Sequence, residues 1–235
     1  MTAKPQSNPP KKRHIRSFIR RDSRLTVGQQ TAIDSSWDRY GLDVTDQPVD
    51  LYTVFENTTP VILEIGFGNG EALAKMAAQY PQYNFLGIET HKPGVGHLLI
   101  ELAHRELNNV RIYNTDVISV LSDSIKDHSI SGIHIFFPDP WQKRRHHKRR
   151  LINKAFIERI SLKLCTGGYL FLATDWSDYG RWMEKVLFAN ACPLEEIKQP
   201  GQSKIIIPER PLTKFESRGL RLGHSIREFR FFKQQ

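Results

Sequence analysis

From residue 61 onward the chain alternates short apolar runs with stretches whose apolar residues recur every three or four positions, the signature of βαβ units on a mostly parallel sheet. Val61-Ile62-Leu63-Glu64-Ile65 reads as a strand. Leu73, Met76, Ala77 and Tyr80 then fall at i, i+3, i+4 and i+7, a helix that Pro81 stops. Residues 84–89 form the second predicted strand, followed by Pro93 near the first turn of a helix reaching about Leu107. Residues 110–114, 132–137 and 169–174 supply three more. Leu151, Ile152, Ala155, Phe156 and Ile160 mark one further helix face, and Tyr179, Trp182, Met183, Val186 and Leu187 another. A late strand over 226–232 places Phe229 and Phe231 on one side. Five β-α units and a late strand predict an α/β, doubly wound sheet, whose ligands lie outside the carboxyl ends of the strands at the topological switch point.

At those ends the sequence repeats one motif: an acid, or an acid with a glycine loop. Glu64 precedes Gly66, Gly68 and Gly70, Glu89 ends the second strand, and Asp116, Asp139 and Asp175 follow the next three. Glycines between strand and helix permit a tight turn and close backbone approach to a ligand. The spacing is GxGxG, with Glu71 where a dinucleotide fold places its third glycine, and that acid sits badly against a pyrophosphate. Each feature alone has a bland reading as a structural turn or a solvated acid. Together they point to a ligand without phosphate: Glu89 to accept ribose hydroxyls, Asp116 an adenine amine, Glu64 to offset an ammonium. A ribose, an adenine and an ammonium describe S-adenosylmethionine. A nicotinamide-dependent dehydrogenase would share the strand, loop and ribose acid, but the loop spacing and the arginine-rich segment after strand four argue against it.

After strand four comes Phe136-Phe137-Pro138-Asp139-Pro140-Trp141, then the basic run 143–150, KRRHHKRR. Prolines on both sides of Asp139 fix the backbone and remove donors. A rigid turn explains the prolines but not the aromatic residues or the charge. Phe137 and Trp141 offer stacking surfaces, Asp139 can accept from the Watson–Crick N–H groups of guanine, and the cations suit phosphates, a combination that favours RNA over a merely solvated face. Residues 210–224, RPLTKFESRGLRLGH, are polar enough for a folded site loop.

Charge sharpens this division. The 235 residues carry a formal +9. Residues 1–24 hold eight basic side chains against Asp22, and 143–150 hold six and no acid; taking +7 and +6 from +9 leaves −4 on the other 203 residues. The body is mildly acidic and the excess lies in two bands, each suited to a polyanion. Mean hydropathy is −0.46 and no apolar run approaches the roughly 18 residues of a membrane span. Cys165 and Cys192 suggest neither a disulfide nor a zinc site, the nine histidines have no metal-ligand spacing, and no Ser/His/Asp set is evident. A cytoplasmic protein with no metal and no membrane partner is expected.

The segments RSFIRR (16–21), EIGFGNG (64–70), GIETHKPGVG (87–96), FPDPWQKRRHHKRR (137–150), ATDW (173–176) and TKFESRGLRLGH (213–224) resemble the tRNA (guanine-N7)-methyltransferase family. FPDPW with a basic run, and TKFExRG downstream, are more specific than the glycine loop. Gln142, Thr90 and Ile226-Arg227-Glu228 depart from the family's usual residues. The resemblance implies a Rossmann-like class I methyltransferase fold with a seven-stranded, mostly parallel sheet and an antiparallel C-terminal strand. It implies transfer of a methyl group from S-adenosylmethionine to the variable-loop guanosine of tRNA, nucleotide 46. Glu64, Glu89, Asp116 and Asp139 match cofactor positions, beside Gly66, Gly68 and Gly70 of the loop, and Asp139 is also the active-site position. Lys143, Asp175, Thr213, Lys214, Phe215 and Glu216 match substrate positions, and Arg145, His146, His147, Lys148, Arg149 and Arg150 the RNA-contacting stretch. The chain then divides into a disordered basic tail (1–15), a basic arm (16–50) and a methyltransferase domain (51–235), expected to act as a monomer rather than a homodimer. A methyltransferase for another RNA base, or a non-catalytic RNA-binding protein, are the alternatives.

Overall fold

A computed structural model describes residues 24–212, 216 and 225–234; the tail 1–15, the RSFIRR segment, Thr213, Lys214 and Phe215 lie outside the described residues. Eight strands form one sheet in the order β1-β4-β3-β2-β5-β6-β8-β7. The strands read from periodicity are β2 (Val61–Ile65), β3 (Asn84–Ile88), β4 (Val110–Tyr113), β5 (Ile130–Phe136), β6 (Leu164–Thr174) and β8 (Arg227–Phe232). Two strands of two residues, β1 (Gly41–Leu42) beside β4 and β7 (Glu195–Glu196) beside β8, extend the edges beyond the seven expected; at that length they leave no periodic signal. β8 runs antiparallel to β6, and β1 through β6 pair in parallel.

One face of the sheet packs Leu63, Ile65, Ile133, Ile135, Leu170, Leu172, Phe229 and Phe231 against helices α6 (Lys154–Lys163) and α7 (Ser177–Leu187). The other packs Ile62, Phe85 and Ile112 beneath α3 (Glu71–Gln79) and α4 (Lys92–His104). Burying both faces is what makes β2 and β3 read as continuous apolar runs. Asn153 caps α6 by accepting from the Phe156 N–H at 3.1 Å, so Leu151 and Ile152 precede the helix and its inward face is Phe156, Ile157 and Ile160, with Ala155 exposed. α4 stops at His104, short of Leu107, whose N–H closes onto the Leu102 carbonyl at 3.1 Å.

Residues 24–50 contain two arginines against five aspartates, so the positive charge ahead of the sheet is concentrated before them. Thr26 and Gln29 make a reciprocal capping box on α1 (Val27–Tyr40), which lies on α4 where Gly96 leaves room for the Gln29 backbone. Its last residue, Tyr40, is buried and leads into β1; α2 (Leu51–Phe55) precedes β2, and the short α5 (Val117–Ser119) follows β4.

Candidate active site

The strand order reverses at β2, flanked by β3 and β5, and the carboxyl ends of these strands surround a cavity of about 360 Å³. Its floor is the loop after β2. Gly66, Gly68 and Gly70 have φ of +77°, +60° and +74°, the left-handed region glycine tolerates. A Cβ on Gly66 or Gly68 would meet nothing within 4 Å: their missing side chains open onto space, while one on Gly70 would strike Leu98 at 2.6 Å. Gly94 lets α4 approach this loop, since a Cβ there would lie 2.0 Å from the Gly68 carbonyl oxygen.

Glu89 reaches the same loop from β3. Its Oε2 accepts from the Gly68 N–H at 2.9 Å, and Oε1 from the Thr90 and His91 N–H groups at 2.6 and 2.8 Å. Three backbone donors fix the carboxylate, and Oε2 keeps a lone pair for a hydroxyl. The Asn114 amide donates to the Glu89 carbonyl at 2.8 Å, tying β4 to this end. The Asp116 carboxylate accepts from the Ile118 N–H at 2.9 Å and caps a short turn, and its neighbours Thr115 and Val117 line the cavity.

Glu64 lies under the loop, 3% exposed, and its Oε2 has no hydrogen-bond partner. Burial, then the like charge of Glu89, push its pKa up to about 8 against the opposing pull of Arg210. Glu64 pairs in register with His134 of β5, so both point to one face of the sheet. His134 is buried with Nε2 2.8 Å from the Tyr169 hydroxyl and Nδ1 unpartnered, and burial drives its pKa to about 3, leaving it neutral.

Phe136, Phe137, Pro138 and Asp139 form the wall from β5. Phe137 (φ +51°) and Trp141 (φ +46°) are both left-handed, which costs a non-glycine residue about 1–3 kcal/mol and persists only where surroundings over-determine it. The Phe137 N–H donates to the Ala173 carbonyl at 2.8 Å. Trp141 is buried, with the Arg149 guanidinium 3.8 Å above its ring and His146 edge-on at 6.0 Å. Arg150 braces the turn from below: it donates to the Pro140 carbonyl at 3.0 Å and to Asp178 Oδ2 at 2.5 Å, over the rings of Tyr179 and Trp182. The outcome is an exposed Asp139 at the cavity mouth, between two pinned aromatic residues.

The basic run therefore splits by position. Lys143, Arg144, Arg145 and Lys148 are exposed. The Arg150 side chain is 1% exposed and holds the turn instead of facing solvent, and His147 lies between Asp178, 3.9 Å away, and the Trp182 ring. Partial desolvation and the cations around it lower the His146 pKa. Asp175, half-buried, follows β6 outside the cavity lining. Glu216 is buried and bound bidentately by Arg210, whose guanidinium lies over Phe136 and Phe137. Nothing in the sequence distinguishes Arg210 within the polar 210–224 segment except that it lies three residues before Thr213.

No lysine or arginine is among the described residues lining the cavity, whereas Glu89 and Asp139 are. Those carboxylate acceptors, the open glycine cradle and the orphaned Glu64 oxygen suit a cationic, phosphate-free nucleoside such as S-adenosylmethionine. Among the described residues there is no cluster of histidine, cysteine or acids able to hold a metal, and no helix long and apolar enough to cross a membrane.

The chain matches the family described as "Putative methyltransferase" over residues 58–229. It is 48% identical over 231 residues to the tRNA (guanine-N(7)-)-methyltransferase of Alkalilimnicola ehrlichii, covering 95% of this chain and 94% of that one. It is 47% identical over 218 residues to the protein of the same name from Hydrogenovibrio crunogenus, covering 93% and 90%. Its fold resembles the aminoglycoside resistance methyltransferase NpmB1 (TM-score 0.52, 15% identity, 82% of this chain and 95% of that). It also resembles a 16S rRNA (adenine(1408)-N(1))-methyltransferase crystallised with cosubstrate SAM (TM-score 0.53, 11% identity, 82% and 94%).

Proposed function

The chain belongs to the tRNA (guanine-N7)-methyltransferase family, and we propose that it methylates N7 of the guanosine at nucleotide 46 in the variable loop of tRNA, using S-adenosylmethionine. The observation that carries this reading is the turn after β5: a proline-flanked Asp139, held between two left-handed aromatic residues at the mouth of a cavity that no described lysine or arginine lines, beside a rim of exposed cations.

S-adenosylmethionine, when bound, would supply an electrophilic methyl group and leave as S-adenosylhomocysteine once its C–S bond breaks; guanine N7 already carries a free lone pair, so no side chain of this protein need remove a proton first. The chain's work is then placement and charge. Gly66 and Gly68 let backbone approach the cofactor, Glu64 faces its ammonium, Glu89 takes a ribose hydroxyl, and Asp116 lies at the adenine end. Asp139 orients the guanine and favours the positive charge that develops on it. Holding the two reactants in line is worth roughly 7–11 kcal/mol of the barrier. Lys143, Arg144, Arg145, Lys148 and Arg149 meet tRNA phosphates, Asp175 and the 213–216 segment meet the target nucleotide, and the protein acts as a cytoplasmic monomer without a metal.

The test is incubation of unmodified tRNA with methyl-labelled cofactor, followed by strand scission selective for 7-methylguanosine. Label with scission at nucleotide 46 is expected. Label without scission would remove the N7 assignment and retain a methyltransferase.

A further inference from the structure

Arg210 takes no part in the roles above, yet it joins two of them. It follows Glu209, whose N–H donates to the hydroxyl of Tyr80, the residue after α3, at 3.0 Å. Its guanidinium lies 5.5 Å from the ring centre of Phe136 and 5.1 Å from that of Phe137, both in the cavity wall. Nη2 donates to Glu216 Oε1 at 2.6 Å and to Glu228 Oε1 at 3.1 Å, and Nη1 donates to Glu216 Oε2. The Arg210 side chain is 7% exposed and that of Glu216 2%.

Stability alone is a weak reason for this arrangement, because the desolvation of a buried ion pair offsets much of its attraction. What the arrangement provides is geometry. A bidentate guanidinium–carboxylate pair fixes Glu216 in orientation as well as distance. The guanidinium also weighs on the ring of Phe137, the left-handed residue two positions before Asp139. We infer that Arg210 is a positioning residue that holds Glu216 and, through Phe137, the Asp139 turn in fixed relation across the cavity mouth. This rests on the reading that Asp139 and the 213–216 segment meet the target guanosine.

Arg210→Met keeps the stem and loses the fork; Arg210→Lys keeps the charge and loses bidentate geometry. Arg210→Met is expected to lower kcat on tRNA about 100-fold, the scale of an ångström-sized misplacement. The KM for tRNA should stay within about threefold; Arg210→Lys, which keeps the charge that acts on Glu64, should leave the calorimetric affinity for S-adenosylhomocysteine within about threefold and yet restore no more than about a tenth of kcat. Combining Arg210→Met with Glu216→Gln should cost no more than the worse single change, since the two act as one unit. A folded Arg210→Met or Arg210→Lys enzyme with kcat within about threefold of wild type, or a double variant whose loss is the product of the single losses, overturns the inference. If the Met variant does not fold, the Lys variant decides by the same criterion. Wild-type protein that gives no scission at 7-methylguanosine defeats the functional reading itself, whereas normal wild-type scission with an indifferent Arg210 variant defeats only this inference.

Discussion

Cofactor binding should expel a proton from Glu64. In the free protein this carboxyl has a pKa of about 8, raised first by burial and then by the charge of Glu89. At pH 7 about nine-tenths of the molecules therefore carry the proton. An ammonium placed against the unpartnered Oε2 favours the ionised form and draws the pKa down. Between pH 6 and 8 affinity should then rise with pH, by up to about tenfold per unit and less near 8, where ionisation is already half complete. Titration calorimetry with S-adenosylhomocysteine at pH 7, in buffers of different ionisation enthalpy, should report about 0.9 proton released. Glu64→Gln should remove that release, and any count left over belongs to other groups. The nucleoside 5′-methylthioadenosine, which lacks the ammonium, should release none from Glu64 in either protein. A flat affinity from pH 6 to 8 with buffer-independent enthalpy, or equal proton counts in wild type and Glu64→Gln, would refute the placement of the ammonium.

The same carboxyl gives the free protein a pH-dependent stability: its folded pKa lies above the ordinary 4.5, so its contribution is intact below 4.5 and is lost as pH rises through about 8. Glu64→Gln should flatten thermal stability across that window. Asp139→Ala should reduce turnover at least about 100-fold with S-adenosylhomocysteine affinity partly retained in calorimetry; near-normal turnover would sink its role. Neutralising Arg144, Arg145 and Lys148 together should flatten the slope of log K for tRNA against log salt by about 0.7–0.9 for each phosphate no longer neutralised, read by filter binding. Arg150→Met should instead lower the unfolding free energy by about 3 kcal/mol in chemical denaturation, because it strips charged hydrogen bonds from the Pro140 carbonyl and Asp178.

The strands that build the site were legible because β2 to β5 are buried on both faces, and each therefore appears as an apolar run with its functional residue at or just past the end. The short edge strands left no period to read, and α6 begins three residues later than its apolar spacing implies because the Asn153 cap outweighs the pattern. Glu64 and Glu89 were legible as acids at strand ends but not as different kinds of acid. Glu89 meets three backbone donors, one from Gly68 of the glycine loop and two from Thr90 and His91 of its own turn, while Glu64 lies two residues before the glycine loop with one oxygen bare. The difference is tertiary, and it sets which carboxyl can exchange its proton for a ligand's charge.

Tertiary placement divides the basic run in the same way. Six cations in eight residues look equivalent in sequence, and a solvated face would use them so. The run comes directly after a turn that holds two aromatic residues in the left-handed region, and such a turn persists only if something pins it from both sides. Arg149 does so above Trp141, and Arg150 does so beneath Pro140, where its guanidinium is already committed to a carbonyl and Asp178. The cations that remain exposed, Lys143, Arg144, Arg145 and Lys148, lie on the outer side of the same short segment. One stretch of chain thus fixes the angle at which Asp139 is presented and provides the surface on which a phosphate backbone can rest. Loss of an outer cation and loss of Arg150 both weaken a tRNA methylase, but only the second also lowers its denaturation midpoint, and only the first changes its response to salt.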